Sequence, residues 1–284
     1  MPGWRRAVLK MTVWTCVLVE LFVMGDISLL GDIPRRKSPD LVLGANALTR
    51  SVLIDRQERL QHNCEEILRM EAPDLGNFEP KDFNNILVDE VHELLYCYVP
   101  KVACTNWKRV LMIATVRHPM ERLLSAYRNK LEARDQTSSK YFQTRFGRKI
   151  VKKYRKNATK ESLSKGDDVT FGEFVDFITA DDNKTTNEHW RPISELCLPC
   201  IINYNLISKY ETLVEDATEV LESIGAGHIS FPTKPKDREP TDKKLQQYYS
   251  GLSFKQIRKL IEFYRIDLKL FDYSMEDVLG FSLA

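Results

Sequence analysis

The stretch Leu94-Leu95-Tyr96-Cys97-Tyr98-Val99-Pro100-Lys101-Val102-Ala103-Cys104-Thr105-Asn106-Trp107-Lys108 decides how the chain is read. An apolar, aromatic run of strand length meets a Pro-Lys turn, and small and hydroxyl residues then lead into a sequence able to start a helix. A strand running into a helix puts unpaired backbone N–H groups and the positive end of the helix dipole at the junction, which makes an anion site. Lys101 adds a fixed positive charge beside it, and a phosphate fits. The glycines of G-x-x-x-x-G-K-[ST] are missing, so the nucleoside triphosphate of a nucleotide-dependent kinase is not the inference.

The same arrangement recurs downstream. Residues 112–116 form an apolar strand that runs into Arg117-His118-Pro119-Met120-Glu121-Arg122-Leu123-Leu124-Ser125-Ala126-Tyr127-Arg128, where Pro119 opens a helix at its first turn. Arg117 at the strand end and Ser125 two turns into the helix are placed to reach a second phosphate.

Together, PKVACTNWKR and VRHPMERLLSAYRNK resemble the 5′-phosphosulfate loop and the 3′-phosphate site of Golgi carbohydrate sulfotransferases, the chondroitin and dermatan 4-O-sulfotransferase branch in particular. Further pieces match in order: residues 149–159, 165–169, Asn187-Glu188-His189-Trp190, Cys197-Leu198-Pro199-Cys200, 209–213 and Phe271-Asp272-Tyr273-Ser274. The resemblance spans roughly residues 86–274. It implies the P-loop-like sulfotransferase fold and PAPS (3′-phosphoadenosine 5′-phosphosulfate) as co-substrate, with no metal. It places the donor on Pro100, Lys101, Val102, Ala103, Cys104, Thr105 and Asn106 and on the run from Arg117 through His118, Pro119, Met120, Glu121, Arg122, Leu123 and Leu124 to Ser125. The implied acceptor is a hydroxyl of a glycosaminoglycan, most simply O-4 of N-acetylgalactosamine in chondroitin or dermatan.

One departure from the family stands out. Only twelve residues separate Val99 from Met112, about the minimum for a crossover between parallel strands, whereas the family carries a few tens. The chain reads as internally shortened here, and a catalytically inactive, glycosaminoglycan-binding family member is the alternative expectation.

Upstream, Arg5, Arg6 and Lys10 precede an apolar run over residues 11–24, which softens out to Leu30. That order suits a signal-anchor with the remainder in the lumen, although Glu20 interrupts it and a cleaved signal peptide is the competing reading. The expected layout is a cytoplasmic tail over 1–10, a transmembrane anchor over 11–30, a lumenal stem over 31–81 and a catalytic domain over 82–284. The location implied is the Golgi membrane, single-pass type II. Within the stem, residues 55–70 suit an amphipathic helix through Leu60, Cys64 and Leu68. Asn157 and Asn183 open N-x-[ST] triplets and are expected glycosylation acceptors.

Net charge is +2 over 284 residues, so any acidic partner must be met by local charge. Such charge lies between Lys140 and Lys165, where Arg145, Arg148, Lys149, Lys152, Lys153, Arg155, Lys156 and Lys160 face Glu161 as the sole carboxylate. The run is either a solvated face or a polyanion surface. Few aromatics interleave it, which argues against nucleic acid.

Capping patterns Thr170/Glu173, Thr212/Glu215 and Ser253/Gln256 place three helices, and residues 201–210 read as a further strand. Strands alternating with helices give an α/β class with a central, mainly parallel sheet flanked by helices. Cys64, Cys97, Cys197 and Cys200 are left for two disulfides in any of three pairings. Cys197-x-x-Cys200 finds no second ligand pair, so no zinc site is expected. Sulfuryl transfer needs a base for the acceptor hydroxyl, and His189 or Glu188 can serve. The catalytic candidates are thus Lys101 and His189.

Overall fold

The computed structural model describes residues 47–71, 78–89, 94–100, 114–133, 137–180, 187–202, 204–223, 227, 230 and 241–279. The expected anchor over 11–30, the loop residues Lys101 to Asn106 and Asn183 lie outside them, as does most of the short link between Val99 and Ala114. Among the described residues no helix is long and apolar enough to cross a membrane.

Helix α1 (Ala47–Glu71) is longer than the 55–70 expected. Leu53, Leu60, Cys64 and Ile67 are buried at spacings of seven, four and three, one stripe of a helix. That stripe lies on the folded unit, which runs from Leu43 onward. Cys64 is bonded to Cys200, Arg56 donates to the buried Asp216 carboxylate at 2.7 Å, and Asn63 donates to the Lys269 carbonyl at 2.8 Å. The stem expected over 31–81 therefore contains a helix built into the domain, and a spacer does not describe it.

Strands β1 (Ile86–Asp89) and β2 (Leu94–Cys97) form an antiparallel pair, with Ile86 opposite Cys97 and Asp89 opposite Leu94. Strands β3 (Ala114–Val116) and β4 (Ile207–Lys209) pair in parallel, Ala114 with Ile207 and Val116 with Lys209. Ala114, Val116 and Ile207 are buried, as expected of parallel strands covered on both faces. The class is mixed α/β, and among the described residues the parallel sheet is smaller than the sequence suggests. The strand expected over 201–210 shrinks to β4 for a local reason. Leu198 adopts a left-handed conformation (φ 46°), and its carbonyl takes the amides of Ile201 and Ile202 at 2.9 and 2.8 Å, so a turn uses the groups a ladder would need.

Most of the chain between β3 and β4 is helical. Helix α2 (Pro119–Tyr127) leaves β3, and α3 (Thr137–Phe142) passes through a π turn at Gln143–Gly147 into α4 (Arg148–Tyr154). Helices α5 (Lys160–Lys165), α6 (Phe171–Ile178) and α7 (Ile193–Cys197) follow. After β4 come α8 (Leu213–Ser223), α9 (Thr241–Tyr249), α10 (Phe254–Phe263), α11 (Arg265–Leu270) and α12 (Glu276–Leu279). The capping boxes at Thr170/Glu173 and Ser253/Gln256 form as read. Thr212 instead donates its hydroxyl to Asp216 at 2.9 Å. Trp190, Phe174, Leu123, Tyr249 and Tyr264 centre the largest core. A second core surrounds the disulfides Cys64–Cys200 and Cys97–Cys197. Since Cys197 and Cys200 each hold a different partner, neither thiol is available to zinc.

Candidate active site

In parallel sheets ligands bind beyond the carboxyl ends of the strands, and Arg117, an expected donor residue, lies there. Val116 and Lys209 are register partners, so Arg117 and Tyr210 leave the sheet side by side. The Arg117 guanidinium carbon sits 4.2 Å from the centre of the Tyr210 ring, and its Nε donates to Glu121 at 3.1 Å. Lys209 donates to the Asp272 carbonyl at 3.1 Å with its ammonium 4.1 Å from the centre of the Tyr273 ring. Burial lowers the Lys209 pKa from its ordinary value. Glu211 accepts from the His118 amide at 3.3 Å and the Tyr273 hydroxyl at 2.9 Å. The sequence motifs contain Lys209, Glu211 and Tyr273, yet no local pattern gives them a role, because the contacts cross more than 60 residues.

The run from Arg117 to Ser125 divides by exposure. Pro119, Met120, Leu123 and Leu124 are buried on the core side of α2, so their part in an anion site is to hold the helix. Glu121 and Ser125 are partly exposed, one turn apart on the stripe that follows Arg117. His118 caps the helix: its Nδ1 accepts from the Met120 amide at 3.2 Å, which puts the ring proton on Nε2, bonded to the Ser274 carbonyl at 2.7 Å.

Arg122 has almost no surface to offer a phosphate. It is 1% exposed, and it donates from Nε to the Pro100 carbonyl (3.0 Å), from Nη1 to Arg191 (2.6 Å) and from Nη2 to Glu188 (2.6 Å). One planar guanidinium thus joins α2, the residue that precedes the expected phosphate loop, and the segment carrying His189. Burial lowers its pKa from the ordinary value, with Tyr264 and Asp267 nearby opposing that.

The His189 segment is held from several sides. Tyr264 donates to the Trp190 carbonyl at 2.6 Å, and the Phe142, Phe146 and Phe174 rings pack on Trp190. Asp267 then accepts from the Ile193 and Ser194 amides at 2.6 and 2.8 Å, capping α7. Asn187 Oδ1 takes both the His189 backbone N–H (3.0 Å) and ring Nδ1 (2.7 Å). An oxygen that accepts two donors is the amide carbonyl, so the neutral ring carries its proton on Nδ1 and its lone pair on Nε2. That is the tautomer a general base needs. Glu188 lies beside it, its carboxylate oxygen 3.9 Å from the ring. Lys101 to Asn106 lie outside the described residues, and Pro100, which leads into them, is buried. Asn157 is exposed, as a glycosylation acceptor must be.

The sulfotransferase family model matches residues 84–115 and 112–274. Carbohydrate sulfotransferase 11 of Mus musculus is 38% identical over 249 residues, covering 70% of each chain. Carbohydrate sulfotransferase 14 of Danio rerio is 36% identical, covering 67% of this chain and 62% of its own. Carbohydrate sulfotransferase 9 of Homo sapiens is 33% identical, covering 67% and 53%. No solved structure matches. The chain belongs to the sulfotransferase family. It is a carbohydrate sulfotransferase, with a carbohydrate as acceptor.

The alignment with the Mus musculus relative is 249 positions long yet takes in 70% of this chain, about 199 of 284 residues. About fifty positions of the aligned stretch thus have no counterpart here.

Proposed function

We propose that the chain transfers the sulfuryl group of PAPS to a glycosaminoglycan hydroxyl, O-4 of N-acetylgalactosamine in chondroitin or dermatan, as a type II protein of the Golgi membrane with its catalytic domain in the lumen. The observation that carries this reading is the Arg122 guanidinium, which fastens the entry to the phosphate loop at Pro100 to the His189 segment at Glu188 and Arg191. Donor and acceptor motifs more than 80 residues apart in sequence meet on one side chain.

What supports this donor is that Arg117 and Lys209 bring two cations to the carboxyl ends of a parallel strand pair, with Ser125 partly exposed two turns along α2. Arg117 and Ser125 would hold the 3′ phosphate; the resemblance gives Lys101 and the amides of residues 102–106 the 5′ side. The acceptor oxygen attacks sulfur as the bond from sulfur to the 5′-phosphate oxygen breaks. Its proton passes to His189 Nε2, and the bisphosphate leaves against the charge of Lys101. Fixed donors of this kind act where charge develops on the leaving oxygen.

The test is transfer of radiolabelled sulfate from PAPS to desulfated chondroitin and dermatan by the full chain in mild detergent. Label should reach the polymer at position 4, and Arg117→Ala should raise the KM for PAPS by roughly tenfold or more, as loss of a charge-assisted bond worth ~1.5–3 kcal/mol requires. Lys101→Ala should lower kcat. Label that persists unchanged in both variants would remove the donor assignment.

The fifty unmatched positions favour a second reading. The two family-model matches meet at 112–115, next to the short link after Val99, and a chain shortened there would bind donor product and polymer without turnover. Binding of the 3′,5′-bisphosphate with no label transferred is its signature.

A further inference from the structure

Between Thr137 and Lys160 the chain carries nine cations and no carboxylate. The whole protein has 42 cations and 40 acids, so the remaining 260 residues hold 33 against 40 and are net acidic. The positive charge is a local feature, and the structure concentrates it further. Helices α3 and α4, joined by their π turn, run from Thr137 to Tyr154, about 27 Å at 1.5 Å per residue. Phe142, Gln143, Gly147, Ile150 and Val151 are buried along one side. Arg145, Arg148, Lys149, Lys152, Lys153 and Lys156 are all exposed, recurring every three or four residues on the opposite face.

Three of the acids that follow in sequence are already engaged. Glu161 pairs with Lys165, while Asp168 and Glu173 both bind Arg155, the one cation of the run that turns inward. The helix pair that carries the ridge also packs, by its buried side, on the His189 segment. Phe142, at the end of α3, packs edge-on to His189 at 5.1 Å between ring centres, and the Lys130 ammonium sits 4.8 Å from the centre of the same Phe142 ring.

We infer that this ridge is the docking track for a long acidic polysaccharide, one that carries a carboxylate in each repeat, and that it delivers the sugar chain to His189. The inference rests on the reading above that the acceptor is a glycan, and it selects a polymeric uronate-bearing acceptor over a short neutral cap. A row of cations matches a row of carboxylates by charge alone. Tyr141 is the one large aromatic exposed on these helices, so stacked bases find no platform.

The full chain in mild detergent is compared on immobilised desulfated chondroitin, on neutral dextran of equal length and on a single-stranded oligonucleotide. Salt is titrated in each case. Variants are Arg148→Glu/Lys149→Glu/Lys152→Glu/Lys153→Glu, the milder Lys149→Gln/Lys152→Gln/Lys153→Gln in case charge reversal impairs folding, and the control Lys255→Glu/Lys259→Glu on the exposed face of α10. Retention on chondroitin but not dextran, released by salt and weakened in both ridge variants alone, is expected. The ratio of polymer KM to tetrasaccharide KM should rise about tenfold in the ridge variants, within the range that charge focusing supplies.

Equal salt midpoints and an unchanged ratio in ridge and control variants overturn the proposal, as does tighter binding to the oligonucleotide than to chondroitin. Ridge-dependent retention by a chain that transfers no sulfate sustains the track and removes the transfer reading. Transfer that ignores the ridge does the reverse.

Discussion

A single guanidinium has five N–H donors in a rigid plane, and Arg122 spends them on three backbone carbonyls from two distant segments. Lysine keeps the charge but lacks the fork. Arg122→Lys should lower unfolding free energy by about 2–3 kcal/mol in urea melts, and Arg122→Met by about 3 or more, since each buried carbonyl left without a donor costs ~1–3 kcal/mol. Because Arg122 is buried and holds the His189 segment through Glu188 and Arg191, under the proposed mechanism kcat should fall more than the KM for PAPS rises. A KM effect alone would mean that Arg122 meets the donor directly. This role is not legible in the sequence: Arg122 is there one more cation in a phosphate-site motif, and its partners lie 22, 66 and 69 residues away. The position of Arg117 is legible, because the end of a strand before a proline-opened helix is a local signal. His189 is nameable only as one candidate base beside Glu188, and its tautomer is set by Asn187, a contact that no sequence pattern announces.

Elements whose signals are local are legible in the sequence, and elements that need distant partners are not. The helices at 171–178 and 254–263 follow from caps written within four residues. The sheet came out small because strand length is set by what pairs across the crossover. Around α4 to α6 the packing depends on a close backbone approach. A Cβ on Gly147 would lie 2.0 Å from the Gly166 carbonyl oxygen, and Gly166 holds φ +67° at the end of α5. Arg155 then ties the C-terminal end of α4 to the start of α6 through Asp168 and both oxygens of Glu173. Burial pushes the Glu173 pKa up, but the bonds from Arg155 and Thr170 outweigh it and hold the group below its ordinary value. Asp168 is likewise depressed, burial being outweighed by the Ser162 hydroxyl and Arg155. Depressed carboxylates add stability that is fully present above their unfolded pKa values and lost as pH falls through the folded ones. Melting temperature should therefore drop below about pH 5. Arg155→Ala should cost about 1–2 kcal/mol at neutral pH and flatten that acid limb. An acid limb as steep in the variant as in the parent would place the titrating groups elsewhere.

At the scale of the molecule the boundary of the folded unit is the consequential question, because the sequence puts it at residue 82 and the packing puts it before α1. The sequence reads residues 31–81 as a spacer on the strength of proline and charge; it shows an apolar stripe through Leu60 and Cys64, but nothing local reveals which core that stripe, with Leu53 and Ile67, enters. A chain beginning at residue 82 would lose the burial of Leu53, Leu60 and Ile67, about 1.5–3 kcal/mol for each side chain. It would lose the Cys64–Cys200 bridge, which closes 136 residues and on chain-entropy grounds contributes roughly 4–5 kcal/mol. Asp216, 1% exposed, would be left without Arg56. Together these exceed much of the ~5–15 kcal/mol that separates folded from unfolded states. Secretion of a chain starting at residue 43 should give soluble protein with a single cooperative melt, whereas the chain starting at 82 should be retained, or secreted as protease-sensitive material. A Cys64→Ala/Cys200→Ala form of the longer chain separates the two contributions: it should fold but melt lower, and become cleavable within α1 first. Equal melts for the chains starting at 43 and 82 would return α1 to the stem and leave Cys200 to find another partner.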